Sequence, residues 1–120
     1  MKAEIVRTFY FEAAHNLPNA PEGHKCRRTH GHGYRVDLHV SGAVDEKTGW
    51  VMDFGEIDKL AGPVIHELDH RMLNDVPGLA NSTAEHIARH IWDRLSASLP
   101  GLDAVTVWES EKSRCIYRGG

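Results

Sequence analysis

Alternating hydrophobic and polar positions predict β-strands at both ends of the chain. Residues 3–11 are rich in β-branched and aromatic side chains, and residues 33–41 alternate cleanly between apolar and polar positions. Three shorter segments are also predicted as strands: 50–52, 104–109 and 115–118. The pattern therefore predicts a small antiparallel sheet whose strands come from both ends of the sequence.

Two segments with a helical period lie between these strands. The first follows Asp53 in a capping box and extends to Leu68, with a kink or restart expected at Pro63. The second follows Ser82, which has capping-box spacing to Glu85, and has one apolar stripe. Two such helices over a small sheet make an α+β fold with one sheet face covered. The uncovered face and the sheet edges predict that subunits associate through the sheet.

Length and composition limit the possible functions. The 120 residues fit one domain, residues 1–120, and the net charge of −3 argues against a nucleic-acid partner. The chain has no apolar run long enough for a membrane span and no signal-peptide pattern, so we expect a cytoplasmic protein with no membrane partner. The two cysteines are expected to be free thiols. The nine histidines are the unusual feature of the composition.

Three histidines are expected to converge on one ion. His30 and His32 flank a glycine in extended chain, so both imidazoles leave the backbone on the same side. His15 ends the first strand and lies opposite them if the first two strands form an antiparallel hairpin. Three neutral imidazoles without a thiolate are typical of a catalytic zinc site with an open position, and Gly31 and Gly33 would allow close backbone approach. The alternative is a set of ordinary surface or core histidines.

The other histidines are less informative. His66 to His70 spells H-E-x-x-H, the zinc-protease signature. On the first helix His66 would lie opposite the apolar stripe and face solvent, which disfavours a metalloprotease. His39 is expected on the sheet face opposite the histidine cluster, and His86 and His90 are expected to face solvent.

Four further side chains occupy positions suited to chemistry. Cys26 lies in a basic loop four residues before the H-G-H triplet, where the neighbouring cations favour a thiolate; an inert buried thiol suits Cys115 better. Asp69 and His70 follow the last apolar position of the first helix and could present an acid and a base. Glu109 continues an apolar register and needs a partner, either an arginine or the paired N–H donors of a ligand.

Taken together, these residues resemble a known enzyme family. The motifs are Phe11-Glu-Ala-Ala-His15, Cys26-Arg-Arg-Thr-His30-Gly-His32, Leu68-Asp69-His70, Leu73-Asn74-Asp75, Thr83-Ala-Glu85 and Trp108-Glu109. They are similar to those of the 6-pyruvoyl-tetrahydropterin synthase family, and the position of Cys26 is most similar to its bacterial 6-carboxy-5,6,7,8-tetrahydropterin synthase branch. The resemblance implies roles for seven residues: zinc ligands His15, His30 and His32, a base at Cys26, an acid–base pair at Asp69 and His70, and a pterin anchor at Glu109.

The resemblance also implies a fold and a reaction. The family's tunnelling fold has a four-stranded antiparallel sheet with two helices on one face, and it forms a homohexamer of two trimers whose sheets close into β-barrels. The implied reaction is zinc-dependent conversion of a small pterin substrate, 7,8-dihydroneopterin triphosphate, to 6-carboxy-5,6,7,8-tetrahydropterin, acetaldehyde and triphosphate, in queuosine biosynthesis. Two alternatives remain open: 6-pyruvoyl-tetrahydropterin synthase chemistry without acetaldehyde release, and a non-catalytic zinc- or pterin-binding module.

Overall fold

The computed structural model describes residues 1–120, which form one sheet and two α-helices. The elements are β1 (Lys2–His15), β2 (His30–Ala43), α1 (Phe54–His66), β3 (Arg71–Met72), α2 (Ala84–Leu95), β4 (Leu102–Ser110) and β5 (Ser113–Tyr117). Two short 3₁₀ turns, Lys25–Arg27 and Leu73–Asp75, complete the secondary structure. The predicted α+β class is confirmed.

The sheet has five strands in the order β3-β1-β2-β4-β5, one more than the family resemblance implies. β1 and β2 form an antiparallel hairpin along their whole length, while β3 pairs parallel with β1 at Ala13 and Ala14 only. The prediction missed β3 because a two-residue strand has no pattern of its own. It exists because the chain after α1 returns alongside the edge of β1.

The strand predicted at 50–52 is not formed. Asp45 N–H donates to the Trp50 carbonyl at 3.0 Å, and Gly49 N–H donates to the Asp45 carbonyl at 2.8 Å. These hydrogen bonds close a turn, with Gly49 in the left-handed region at φ +81°. The carbonyl of Trp50, which a strand ladder would need, is therefore used within the turn.

Helix α1 begins where the sequence predicts and continues through its proline. The Asp53 side chain caps it by accepting from Gly55 N–H at 3.0 Å, and the helix is unbroken across Pro63. It ends at His66, which is exposed as predicted. The H-E-x-x-H motif therefore begins at the last residue of the helix and continues beyond it, so its two histidines do not share a helical face.

Helix α2 is capped by Thr83, not by the predicted Ser82. The Thr83 hydroxyl accepts from His86 N–H at 3.2 Å. Ser82 is fully buried, and its carbonyl oxygen lies 2.8 Å from His15 Nδ1. Because Ser82 contacts His15 of the sheet, it does not cap the helix, and the next residue, Thr83, is the cap instead.

The two helices cover one face of the sheet and enclose the core. Alternate residues of β2, from Tyr34 to Val40, are buried against them as the sequence predicts, in a cluster of 20 apolar residues. On the other face the exposed apolar side chains include Val6, Tyr10 and Ile116. None of the helices combines the length and apolar character needed to cross a membrane.

Candidate metal centre and active site

The hairpin brings His15, His30 and His32 together, as the sequence predicts. His15 is paired directly with His30, and Ala13 is paired with His32, so all three imidazoles lie on the covered face. One ring nitrogen from each histidine lies within 4.8 Å of the other two. This convergence depends on the full-length antiparallel register, which places the last residue of β1 beside the first residue of β2.

Backbone carbonyls fix the orientation of two of these rings. His15 Nδ1–H donates to the Ser82 carbonyl at 2.8 Å, and His30 Nδ1–H donates to the Arg28 carbonyl at 2.7 Å. Each bond leaves Nε2 as the nitrogen with a free lone pair. Such outer contacts are the usual way in which proteins orient metal-binding histidines.

The third imidazole supplies a direct test of whether a metal fits. His32 Nε2 is buried and has no hydrogen-bond partner in the chain. A buried polar atom without a partner is costly, and a bound cation would satisfy it. Three imidazole nitrogens with no thiolate among them suit a divalent transition metal such as zinc that keeps an open coordination position.

Burial keeps two of the ligand candidates neutral. It is the first cause that lowers the pKa of His15, and the neighbouring His30 charge acts in the same direction. Burial likewise lowers the pKa of His32. Neutral imidazole is the form that binds a metal, so the site favours the correct protonation state before any ion arrives.

Glu109 lies beside this cluster on the covered face. It follows Val105 and Val107 in the inward register of β4, as predicted, and its Oε1 is 3.6 Å from His32 Nε2. It makes no ion pair with an arginine, which was one of the two expected partners. The carboxylate also lines a cavity of about 390 Å³ between the start of α2 and β5.

The expected pair of Asp69 and His70 is formed at the edge of the sheet. His70 Nδ1–H donates to Asp69 Oδ1 at 2.9 Å, and the same oxygen accepts from Glu12 N–H at 2.9 Å. The Glu12 N–H is the first cause that lowers the pKa of Asp69, followed by His70, so this carboxyl group is ionised near neutral pH. His70 has φ +56°, and no other non-glycine residue is in the left-handed region.

The Asp69–His70 pair makes no direct polar contact with the histidine cluster within one chain. The side chain of His70 is 75% exposed, and its nearest carboxylate besides Asp69 is Glu12, on the uncovered face. His70 and His32 both line an open groove of about 610 Å³, yet no hydrogen bond or ion pair joins the two groups. The two groups therefore line the same groove without a direct polar contact.

Cys26 lies in the 3₁₀ turn of the long β1–β2 loop. His24 Nδ1 accepts from Cys26 N–H at 3.0 Å, and the Cys26 carbonyl accepts from Leu17 N–H at 2.7 Å. The thiol is partly exposed and free. No hydrogen bond joins it to the histidine cluster or to the Asp69–His70 pair, so the structure fixes its backbone without bringing its thiol into contact with either.

Some expectations about this region were wrong. His90 was expected to face solvent, but it is partly buried and its Nε2 has no hydrogen-bond partner; His86 is exposed as expected. The close backbone approach expected at Gly31 and Gly33 is not seen within the chain. A Cβ atom on Gly33 would meet nothing within 4 Å, and one on Gly31 would meet only the Ala13 carbonyl at 3.5 Å.

Two residues near His15 were missed by the sequence analysis. Ser82 was assigned to the helix cap, and Tyr34 was predicted to face the core without any role at the site. The Tyr34 hydroxyl oxygen lies 3.3 Å from His15 Nε2. Its position two residues after His32 on the same strand face was the available signal. Burial raises the pKa of Tyr34, and the charge of Glu109 raises it further, so the phenol stays protonated.

Comparison with known proteins adds independent information. The sequence model of the 6-pyruvoyl tetrahydropterin synthase family matches residues 4–120. The chain is 42% identical over 119 residues to 6-carboxy-5,6,7,8-tetrahydropterin synthase of Synechocystis sp., covering 94% of this chain and 91% of the relative. It is 34% identical to human 6-pyruvoyl tetrahydrobiopterin synthase, covering 98% and 92%. The structure of Caenorhabditis elegans 6-pyruvoyl tetrahydropterin synthase is similar with a TM-score of 0.89 at 26% identity, covering 100% and 97%.

Proposed function

The chain belongs to the 6-pyruvoyl tetrahydropterin synthase family, and from this premise we propose that it is a zinc-dependent lyase acting on 7,8-dihydroneopterin triphosphate. Its proposed products are 6-carboxy-5,6,7,8-tetrahydropterin, acetaldehyde and triphosphate, formed in the cytoplasm as a step of queuosine biosynthesis. The observation that supports this most strongly is the cluster of three imidazoles beside Glu109, in a chain most of which aligns with the Synechocystis synthase.

We assign the zinc ion to His15, His30 and His32. The Nδ1–H groups of His15 and His30 donate to backbone carbonyls, which leaves their Nε2 lone pairs for a metal, and His32 Nε2 has no hydrogen-bond partner. When bound, zinc supplies Lewis acidity that polarises a substrate oxygen and makes the neighbouring carbon more acidic. The protein's part is to hold three neutral ligands in place and to leave room for the substrate.

Glu109 is proposed to hold the pterin ring. A carboxylate accepts two parallel N–H donors in bidentate fashion, and a pterin presents such a pair on its pyrimidine edge. The cavity of about 390 Å³ that Glu109 lines offers room for the ring, and Glu109 Oε1 itself lies 3.6 Å from His32 Nε2. Fixing the ring converts proton transfer on its side chain into a reaction between positioned groups.

Cys26 and His70 are proposed to move protons. Cys26 takes a proton from the side-chain carbon, and His70 exchanges one through Nε2, the nitrogen that Asp69 leaves free. Ionised Asp69 fixes the tautomer of His70 and stabilises its charged form. Enolisation of the side chain then permits triphosphate elimination. Addition of one water to the side-chain carbonyl carbon next to the ring supplies the second oxygen of the carboxyl group, and the adjacent carbon–carbon bond breaks to release acetaldehyde after protonation.

The proposal includes a homohexamer of two trimers with sites between subunits. No hydrogen bond or ion pair joins the Asp69–His70 pair to the histidine cluster within one chain, and we propose that neighbouring copies complete each site. The exposed apolar side chains on the uncovered sheet face support association through that face.

One assay decides between the candidate reactions. The zinc-loaded protein is incubated with 7,8-dihydroneopterin triphosphate, and every product is identified by mass. Acetaldehyde in equal amount to a 6-carboxy product is the expected result. The second candidate, pyruvoyl synthase chemistry, is favoured by the 34% identity to the human enzyme and would release triphosphate without acetaldehyde. Bound zinc without turnover would instead indicate a binding module.

Replacement of Cys26 tests the assigned base. We expect Cys26→Ala to lower turnover by roughly 10²- to 10⁴-fold, because a positioned proton acceptor is lost. Zinc content and oligomeric state should not change, since the thiol makes no hydrogen bond to the histidine cluster. Glu22→Gln, an exposed change in the same loop, is the matched control and should keep full activity. Full turnover in Cys26→Ala would contradict the assignment.

A further inference from the structure

The hydroxyl group of Tyr34 is a buried polar group whose hydrogen-bond neighbours are both on one imidazole. Tyr34 is fully buried, and its ring stacks on Phe11 with centroids 4.7 Å apart. Its hydroxyl oxygen lies 3.3 Å from His15 Nε2 and 3.4 Å from His15 Nδ1. No hydrogen bond joins this oxygen to any other residue of the chain.

These distances place the hydroxyl against the face of the His15 ring. A donor in line with the Nε2 lone pair would be much farther from Nδ1 than from Nε2, yet the two distances are almost equal. The rings are perpendicular, with an interplanar angle of 88° and centroids 6.0 Å apart. The phenol therefore points its edge at the imidazole face, and both in-plane positions of His15 are left for other partners.

The in-plane contact of His15 does not fix the ring completely. Nδ1–H donates to the Ser82 carbonyl at 2.8 Å, and the Ser82 hydroxyl lies 3.3 Å from the same nitrogen. A hydrogen bond along one axis still allows the ring to rock about that axis. A group in contact with the ring face blocks that rotation. Without it, the rotation would turn the Nε2 lone pair away from the other two histidines.

We propose that Tyr34 is a positioning residue of the metal centre, which fixes the plane of the His15 imidazole through its hydroxyl group. The inference rests on the proposed function, because it takes the three histidines as metal ligands. His15 is the member of the trio that this contact would make rigid: it is fully buried, whereas His30 and His32 are only partly buried. Outer residues of this kind tune the affinity of a site for its metal.

The test is the substitution Tyr34→Phe, which keeps the stack on Phe11 and removes only the hydroxyl. We expect zinc to bind roughly 10- to 100-fold more weakly, measured by competition with a chromophoric chelator. The visible spectrum of the cobalt(II)-loaded protein should also change, because the geometry of one ligand is less well defined. Tyr117→Phe is the matched control: its ring packs on Trp92, and its hydroxyl makes no hydrogen bond to the histidine cluster. It should bind both metals like the wild type.

A second measurement does not depend on the variant being folded. In the wild-type protein, with and without zinc, we expect a nuclear Overhauser contact between the Tyr34 hydroxyl proton and the His15 ring protons. Absence of that contact, or a Tyr34→Phe protein with wild-type zinc affinity and cobalt spectrum, would overturn the inference and leave the proposed function intact. A wild-type protein that binds no zinc would overturn the proposed function itself.

Discussion

At the scale of single residues, burial controls the protonation of histidines that differ widely in position. It is the first cause of the lowered pKa of His15, His32 and His90. For the first two, the neutral ring is useful because it can bind a metal. His90, on α2, has no such use, because its buried Nε2 atom has no hydrogen-bond partner and belongs to no cluster of metal ligands. His90 is therefore a site where burial costs stability under acid conditions.

This cost predicts a pH-dependent loss of stability. The folded-state pKa of His90 is lowered, so the unfolded chain binds more protons, and stability falls as pH drops through the ordinary histidine range near 6.5. In excess chelator, the free energy of unfolding should decline from pH 7.5 to 5.5, and His90→Leu should decline less steeply. Urea denaturation at each pH measures this, and His86→Leu, an exposed change on α2, should keep the wild-type slope. Parallel curves for wild type and His90→Leu would contradict the prediction.

At the scale of elements, the hydrophobic pattern correctly predicted the strands and helices that interactions between residues close in sequence determine. The long strands, the two helices and the Asp53 cap all follow from residues close in sequence. Two of the failures share one physical cause: each depends on a contact with a distant segment. β3 needs the edge of β1 beside it, and Ser82 is withdrawn from the α2 cap by its contact with His15. Neither contact can be recognised from the residues next to it in the sequence.

The displaced cap of α2 has an energetic consequence. Thr83→Ala should destabilise the protein by about 1 kcal/mol, because the His86 N–H loses the hydroxyl that accepts from it. Denaturant unfolding at pH 7.5 measures the change. Ser96→Ala, at the exposed C-terminal end of the same helix, is the control and should have little effect, since its hydroxyl caps nothing. An equal loss in both variants would indicate that Thr83 is not the effective cap.

At the scale of the whole molecule, the sequence predicted the convergence of three histidines but not how the other proposed site residues lie around them. The histidine cluster could be inferred because a hairpin register fixes it within one pair of strands. The position of Asp69 and His70 relative to that cluster could not be inferred from the sequence. It depends on which edge of the hairpin the chain reaches after α1. The side chain of Cys26 belongs to a loop of irregular backbone, which no periodicity describes.

Metal binding should stabilise the whole fold, because the histidine cluster joins β1 to β2 and, through Ser82, to the start of α2. Zinc at 100 times its dissociation constant should raise the free energy of unfolding by about 2.7 kcal/mol, and a chelator should reverse this. His15→Ala should abolish the zinc-induced difference, which is measured as paired denaturation curves with and without zinc. His39→Ala is the control, since His39 lies on the opposite sheet face and contacts Thr106. If His15→Ala keeps the full difference, zinc stabilises the protein from some other position and the assigned ligands are wrong.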